Sequence, residues 1–237
     1  MNSAANELNT LDQEKQLAAR AAVQLVESGN IVGLGSGSTA TYAIRFLAER
    51  VREGLKIVGI PTSQKTKQLA EQLGIPLATL EKQPQIDIDI DGADEIDPQL
   101  NLIKGGGGAL LREKVVASAS RRFLVIAEST KQVAHLGKFP LPVEVIPFAE
   151  SVNQTRIEAL GAQVSLRRYP YGNPYTTDEG HHILDCNFGE IADPASLAQK
   201  LRSIPGVVEH GLFIGMAEMA FVGKDGRVIQ VRRGSKS

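Results

Sequence analysis

The sequence predicts an α/β protein, with a doubly wound and mostly parallel sheet in a large domain and a smaller α+β domain beside it. Three observations carry this. Short apolar runs alternate with amphipathic helical patterns over the first 130 residues. The rhythm then changes at a proline-punctuated stretch, LGKFPLPVEVIPF. The segment beyond it reads strand, helix, strand, strand, helix, strand.

Each element has a local reason. Thr10 with Gln13 forms a capping-box pattern, and LDQEKQLAARAAVQLVESG reads as a helix closed by Gly29. NIVGLG is a short strand and SGSTATYAIRFLAERV the helix after it. KIVGI is a second strand, followed by the amphipathic helix SQKTKQLAEQLG, closed by Gly74. QIDIDI is a third strand, LLREKVVASASR a third helix and RFLVIAE a fourth strand. Together these suggest a Rossmann-like sheet spanning 1–139, rejoined by 207–237, where Asp225-Gly226 marks a hairpin. Residues 140–206 then form the small domain, with strands at 143–146, 163–168 and 182–187 and helices at 150–160 and 194–203. With a last strand at 207–210, that order is ferredoxin-like.

Composition narrows the function. The chain has 237 residues, 42% hydrophobic and 22% charged, so it can bury a sizeable core. A net charge of −1 gives no reason to expect nucleic acid or an anionic membrane as partner. No apolar run approaches the roughly 18 residues of a membrane span. The polar N-terminus resembles neither a signal nor a transit peptide. A soluble cytoplasmic protein is the expectation. The one cysteine, Cys186, lies in the apolar run HHILDCNF and reads as a buried thiol.

Three motifs carry chemistry. GLGSGSTA, Gly33 to Ala40, joins a strand to a helix. Its glycines let backbone N–H groups approach a ligand, the helix dipole favours an anion, and the hydroxyls of Ser36, Ser38 and Thr39 add donors. That suits a phosphate. A dinucleotide site is the rival, but it wants an acid about 20 positions on, where this chain has GIPTS. A tight turn without ligand is the third option.

DIDIDGADEID, Asp87 to Asp97, sets Ile86, Ile88 and Ile90 on one strand face and Asp87, Asp89 and Asp91 on the other. Asp91 ends the strand, Gly92 and Ala93 follow, and Asp94 lies in the loop. This is either a carboxylate pair that orients sugar hydroxyls, shares protons or holds a divalent cation, or a solvated acidic loop with a helix cap. The loop lacks the dense alternating ligands of an EF-hand. KGGGGALLREK then sets Lys104 before Gly105, Gly106, Gly107 and Gly108, with Glu113 on the next helix. Taken alone, Glu113 is an ordinary helix-surface residue. Together, a cation, bare amides, carboxylates and a phosphate cradle at strand-to-helix junctions suit proton abstraction beside a carbonyl of a small phosphorylated substrate. The histidines, His135, His181, His182 and His210, have no metal-ligand spacing.

GLGSGSTA, DGADEID, KGGGGALLREK, ESTKQV, LGKFPLPVEVIP and IPGVVEHGLF together resemble the ribose-5-phosphate isomerase A family, over nearly the whole chain. The resemblance implies a cofactor-free and metal-free aldose–ketose isomerase. It would interconvert ribose 5-phosphate and ribulose 5-phosphate through a cis-enediolate, as a homodimer or homotetramer. It implies Glu113 as general base and Asp91 and Asp94 as groups that bind sugar and assist ring opening. Lys104 and the Gly105–Gly107 backbone would hold the enediolate oxygen. Ser36, Gly37, Ser38, Thr39, Gly92, Ala93 and Lys131 would bind substrate, and Lys15 is a weaker basic candidate. Ser36 stands where threonine is common. GIPTSQKTK replaces a serine-rich loop and is assigned no site residue. RRYPYGNPYTTDEG is longer than usual, and is expected to lie away from the motifs, where a neighbouring subunit could meet it. A sugar-phosphate sensor and a CoA-transferase are the alternatives from other classes. The first lacks an output module and the second room for CoA.

Overall fold

A computed structural model describes residues 2–233. Its elements run in the order α1 (Asn2–Val23), β1 (Ile31–Leu34), α2 (Ser38–Arg52), β2 (Val58–Pro61), α3 (Gln64–Gln72) and β3 (Ile86–Gly92). Then come β4 (Glu95–Ile96), β5 (Leu102–Ile103), α4 (Leu110–Ser118), β6 (Ser120–Glu128) and β7 (Leu141–Val145). The remainder is α5 (Glu150–Glu158), β8 (Gln163–Leu166), β9 (His182–Asn187), α6 (Pro194–Arg202), β10 (Val207–His210), β11 (Leu212–Phe213), β12 (Met219–Lys224) and β13 (Arg227–Arg232). The chain forms two compact units. The first holds Met1–Ala93, Arg112–Gln132 and Met216–Ser237, and the second Asp94–Leu111 and Val133–Gly215. These bounds follow packing, whereas a division at 139/140 and 206/207 follows the change in element order.

The first unit is built on a six-stranded sheet in the order β13-β12-β6-β3-β1-β2. Its pairings are parallel except for the β12–β13 hairpin. Asp225 and Gly226 turn that hairpin with φ of 50° and 73°, the double left-handed geometry for which Asp-Gly is suited. α2 places Ala40, Ala43, Ile44, Leu47 and Ala48 at helical spacing and buries them. Ala43, Ile44, Leu47 and Ala48 join Ala18, Ala22 and Val23 of α1 and Val32, Leu34, Ile88 and Ile90 of the sheet in one core. Val116 of α4 packs in a separate cluster with Ile60 and Ile86. The sheet is therefore doubly wound, and Ile86 parts company with Ile88 and Ile90. α1 begins well before Thr10, so Thr10 does not cap it.

The second unit contains a four-stranded antiparallel sheet in the order β10-β7-β9-β8. In chain order that is strand four, one, three, two, the ferredoxin-like arrangement. Leu141, Val143 and Val145 alternate inward on β7 and meet Leu184 and Cys186 of β9, Ile157 of α5 and Leu201 of α6. Asp193 caps α6 by accepting from Ser196 N–H, with Pro194 in the first turn. A second small sheet, β11-β5-β4, belongs to the same unit. No helix among the described residues is long and apolar enough to cross a membrane.

Cys186 is 1% exposed, and burial pushes its thiol well above the usual range. The thiolate is the reactive species. The native chain is expected to resist a thiol reagent at neutral pH and to react with one equivalent once unfolded, as read by absorbance with an aromatic disulfide reagent.

Candidate active site

Parallel strands align their carboxyl ends, and there the first unit gathers its candidate residues. Asp91, fully buried at the end of β3, accepts through Oδ1 from Ser36 N–H at 3.0 Å and Gly92 N–H at 2.7 Å. It thereby fixes the loop after β1 to the end of β3. Gly35 is glycine because a Cβ there would strike the Asp91 side chain. Gly37 precedes α2 with φ 96°, and Gly37 and Ser38 are exposed while Thr39 is buried. The result is a helix start with accessible donors, a geometry that suits an anion.

The Ser36 hydroxyl has partners within the chain. It lies within 2.8 Å of Thr62 Oγ1, 2.8 Å of Ser63 Oγ and 3.1 Å of Thr66 Oγ1. Thr62 and Thr66 in turn donate to the carbonyls of Leu34 and Gly35. Four hydroxyls, from the loop after β1, the loop after β2 and the first turn of α3, therefore knit the cradle together. Thr62, Ser63 and Thr66 come from GIPTSQKTK, to which the sequence reading assigned no role. The available signal was a Thr-Ser pair at the carboxyl end of a parallel strand.

Glu113 lies in the first turn of α4 and is only 4% exposed, which excludes an ordinary surface residue. Lys131 ends the short helical turn Ser129–Lys131 after β6, with Nζ 3.9 Å from Glu128. Lys15 pairs with Asp12 at 3.2 Å within α1.

In the second unit Asp94 stands beside the glycine loop. Its Oδ2 accepts from Gly106 N–H at 2.7 Å, and its own N–H donates to Ile103 O at 2.8 Å. Lys104 is 3% exposed, with Nζ 5.5 Å from the centre of the Phe213 ring and its N–H bonded to Gly211 O. Gly106 and Gly107 are exposed. The acids that follow Asp94 are structural. Glu95 accepts from the N–H groups of Gly137 and Phe139, and Asp97 from those of Gln99 and Asn101. The solvated-loop reading of DGADEID is thus corrected: Asp91, Glu95 and Asp97 are buried and each is bonded to backbone amides.

One expectation fails outright. The turn-rich stretch after β8 does not lie away from the motifs. Arg167 Nη1 donates to Gly105 O at 2.8 Å and Gly106 O at 3.2 Å, and Tyr175 Oη reaches Gly107 O at 3.4 Å. Burial raises the Tyr175 phenol above its ordinary value, so it stays a donor at neutral pH. His181 and His182 each stand beside one glutamate, Glu144 and Glu150. Among the described residues no group of three His, Cys, Asp or Glu is placed to hold a metal ion.

The family model for ribose 5-phosphate isomerase A (phosphoriboisomerase A) matches residues 58–227. The chain belongs to this family. The ribose-5-phosphate isomerase A of Synechococcus sp. (strain JA-3-3Ab) is 58% identical over 89% of this chain and 93% of its own. That of Nitrobacter hamburgensis is 54% identical over 94% and 100%. Among solved structures, ribose 5-phosphate isomerase A from Methanocaldococcus jannaschii superposes with a TM-score of 0.88 at 42% identity, covering 92% of this chain and 97% of that one. A D-ribose-5-phosphate isomerase in complex with phospho-erythronic acid superposes with a TM-score of 0.92 at 39% identity, over 94% and 99%. These likenesses span both units.

Proposed function

We propose that the chain interconverts D-ribose 5-phosphate and D-ribulose 5-phosphate through a cis-enediolate. Membership of the isomerase family is the observation that carries the reading. The relatives are isomerases by name, and nothing comparable supports a sensor. In this reading Glu113 takes the proton from C2 of the open-chain aldose and returns it to C1. Its burial at the start of a helix supports that role, because a base held on regular structure is placed more closely than one on a loop.

The remaining roles follow the chemistry of each group. Opening the sugar ring moves a proton between hydroxyl oxygens, a task for Asp94 and Asp91. As C2 loses its proton, negative charge grows on the former carbonyl oxygen. The Lys104 ammonium and the N–H groups of Gly105 and Gly107 meet that charge, while the Gly106 N–H holds Asp94 in place. The phosphate binds the amides and hydroxyls of Gly37, Ser38 and Thr39 with Lys131 as counter-charge. Ser36 serves by tying the cradle together, its N–H held by Asp91 and its hydroxyl by Thr62, Ser63 and Thr66, and Gly92 and Ala93 bring the substrate chain past Asp91. No metal or cofactor takes part. The chain works in the cytoplasm, in the pentose phosphate pathway and the Calvin cycle where present, as a homodimer or homotetramer.

Conversion of ribose 5-phosphate should be measured with and without a strong chelator. Turnover unaffected by EDTA is the expected result. Absence of turnover, or its loss on chelation, would overturn the metal-free isomerase.

A further inference from the structure

We infer that Arg167 is a positioning residue for the isomerisation: clamped by Asp185, it sets the peptide planes of the glycine loop and, through one of them, the Asp94 carboxylate. The inference rests on the function proposed above for its catalytic part, and on geometry alone for its structural part.

Three nitrogens of the Arg167 guanidinium are employed. Nε donates to Asp185 Oδ2 at 2.9 Å and Nη2 to Asp185 Oδ1. Nη1 is left to face the loop, where it meets the carbonyls of Gly105 and Gly106. The planar fork with fixed donors makes this division possible, and a lysine ammonium cannot reproduce it. The backbone of Arg167 is itself held. Its N–H donates to Ile183 O at 2.8 Å and its carbonyl accepts from Tyr175 N–H at 2.8 Å. Asp185 lies inside β9, so the clamp is anchored in the four-stranded sheet.

The carbonyl of Gly105 and the N–H of Gly106 belong to one peptide unit. Arg167 holds its oxygen end at 2.8 Å and Asp94 its nitrogen end at 2.7 Å. A cation and a carboxylate therefore pull on opposite ends of one amide, which polarises it and fixes its plane. In the next unit Arg167 holds the Gly106 carbonyl. The peptide is trans, so the Gly107 N–H points away from Arg167. Below Gly108, whose φ is 81°, the Tyr175 hydroxyl occupies the space a Cβ would need. Four consecutive glycines, the segment with most backbone freedom to lose, are thus supported along one side by Arg167 and Tyr175. Donors meant for a developing oxyanion act only if they are oriented before the charge appears. Arg167 supplies that orientation without itself reaching the reacting atoms. Its charge is balanced by Asp185, so beyond polarising that one amide its effect is geometric.

The test uses the full chain with Arg167→Gln and Arg167→Lys. Four quantities are read: thermal midpoint, kcat, KM for ribose 5-phosphate, and amide hydrogen exchange at Gly106. Both variants are expected to lose about 10- to 100-fold in kcat, the scale of a small misplacement of catalytic groups, with KM within about threefold. Gly106 exchange should accelerate by at least about 10-fold, while amides in β7 and β9 stay as protected as in the wild type. The lysine variant keeps the ion pair with Asp185, and so its thermal midpoint, but does not regain kcat. Unchanged Gly106 exchange in the lysine variant overturns the strut. Unchanged kcat in that variant, or a loss that only tracks the unfolded fraction, overturns the catalytic part. A wild-type chain inert toward ribose 5-phosphate overturns the function reading and Arg167's part in it, and Gly106 exchange then decides the strut alone.

Discussion

Glu113→Gln is expected to lower kcat for ribose 5-phosphate by at least about 1,000-fold, which is about 4 kcal/mol of barrier. Phospho-erythronic acid should still bind within a few-fold of its wild-type affinity. The substitution removes the proton acceptor and keeps volume, planarity and a hydrogen-bonding end. Glu113 is buried in the first turn of α4, so a larger change of shape would disturb the helix start as well as the chemistry. Glutamine confines the change to basicity. A loss in kcat with KM nearly constant is the signature of an interaction made only at the transition state. A general base commonly contributes 100- to 10,000-fold, and here no second acid shares the turn of helix that holds Glu113. A variant that kept more than about a tenth of wild-type kcat would remove Glu113 from that role. Binding of the phosphorylated acid, measured by calorimetry, separates this from misfolding.

Where sequence and structure agree, the signal was local and periodic. GLGSGSTA joins strand to helix because apolar Ile31–Leu34 meets glycines and then a helical apolar stripe. The Asp225-Gly226 turn was readable because only a few residue types accept two left-handed positions in succession. β4, β5 and β11 were not readable. Each is two residues long, and alternation has no meaning at that length. The roles of Glu95 and Asp97 were hidden for a related reason. Their partners, the amides of Gly137, Phe139, Gln99 and Asn101, offer no side-chain signature. Asp91, Asp94, Glu95 and Asp97 look alike in the chain, and only what each one bonds divides them. Arg167 was invisible for the strongest reason. Its targets are carbonyls of glycines 61 and 62 residues away, a relation no spacing rule describes.

Removing the Lys104 ammonium is expected to weaken substrate binding and slow the chemical step together. Lys104→Ala and Lys104→Met should each lower kcat/KM by about 100- to 1,000-fold, the usual scale for one donor that faces developing charge. The two variants differ in what else they disturb. Lys104 is 3% exposed and its chain lies against Phe213, itself fully buried, so alanine leaves a cavity. Methionine fills most of that space and takes away only the charge. The thermal midpoint of the alanine variant should therefore fall further than that of the methionine variant, while their kinetic losses agree. In the proposed mechanism the ammonium meets the substrate oxygen before and after charge develops, so KM should rise and kcat fall. A base, the role proposed for Glu113, moves kcat alone, so variants at the two positions sort a charge-stabilising group from a proton-moving one. Lys104→Met with both parameters within about threefold of wild type would take the ammonium out of the reaction. The buried lysine would then be a packing element beside Phe213, and the glycine-loop amides would have to stabilise the oxyanion unaided.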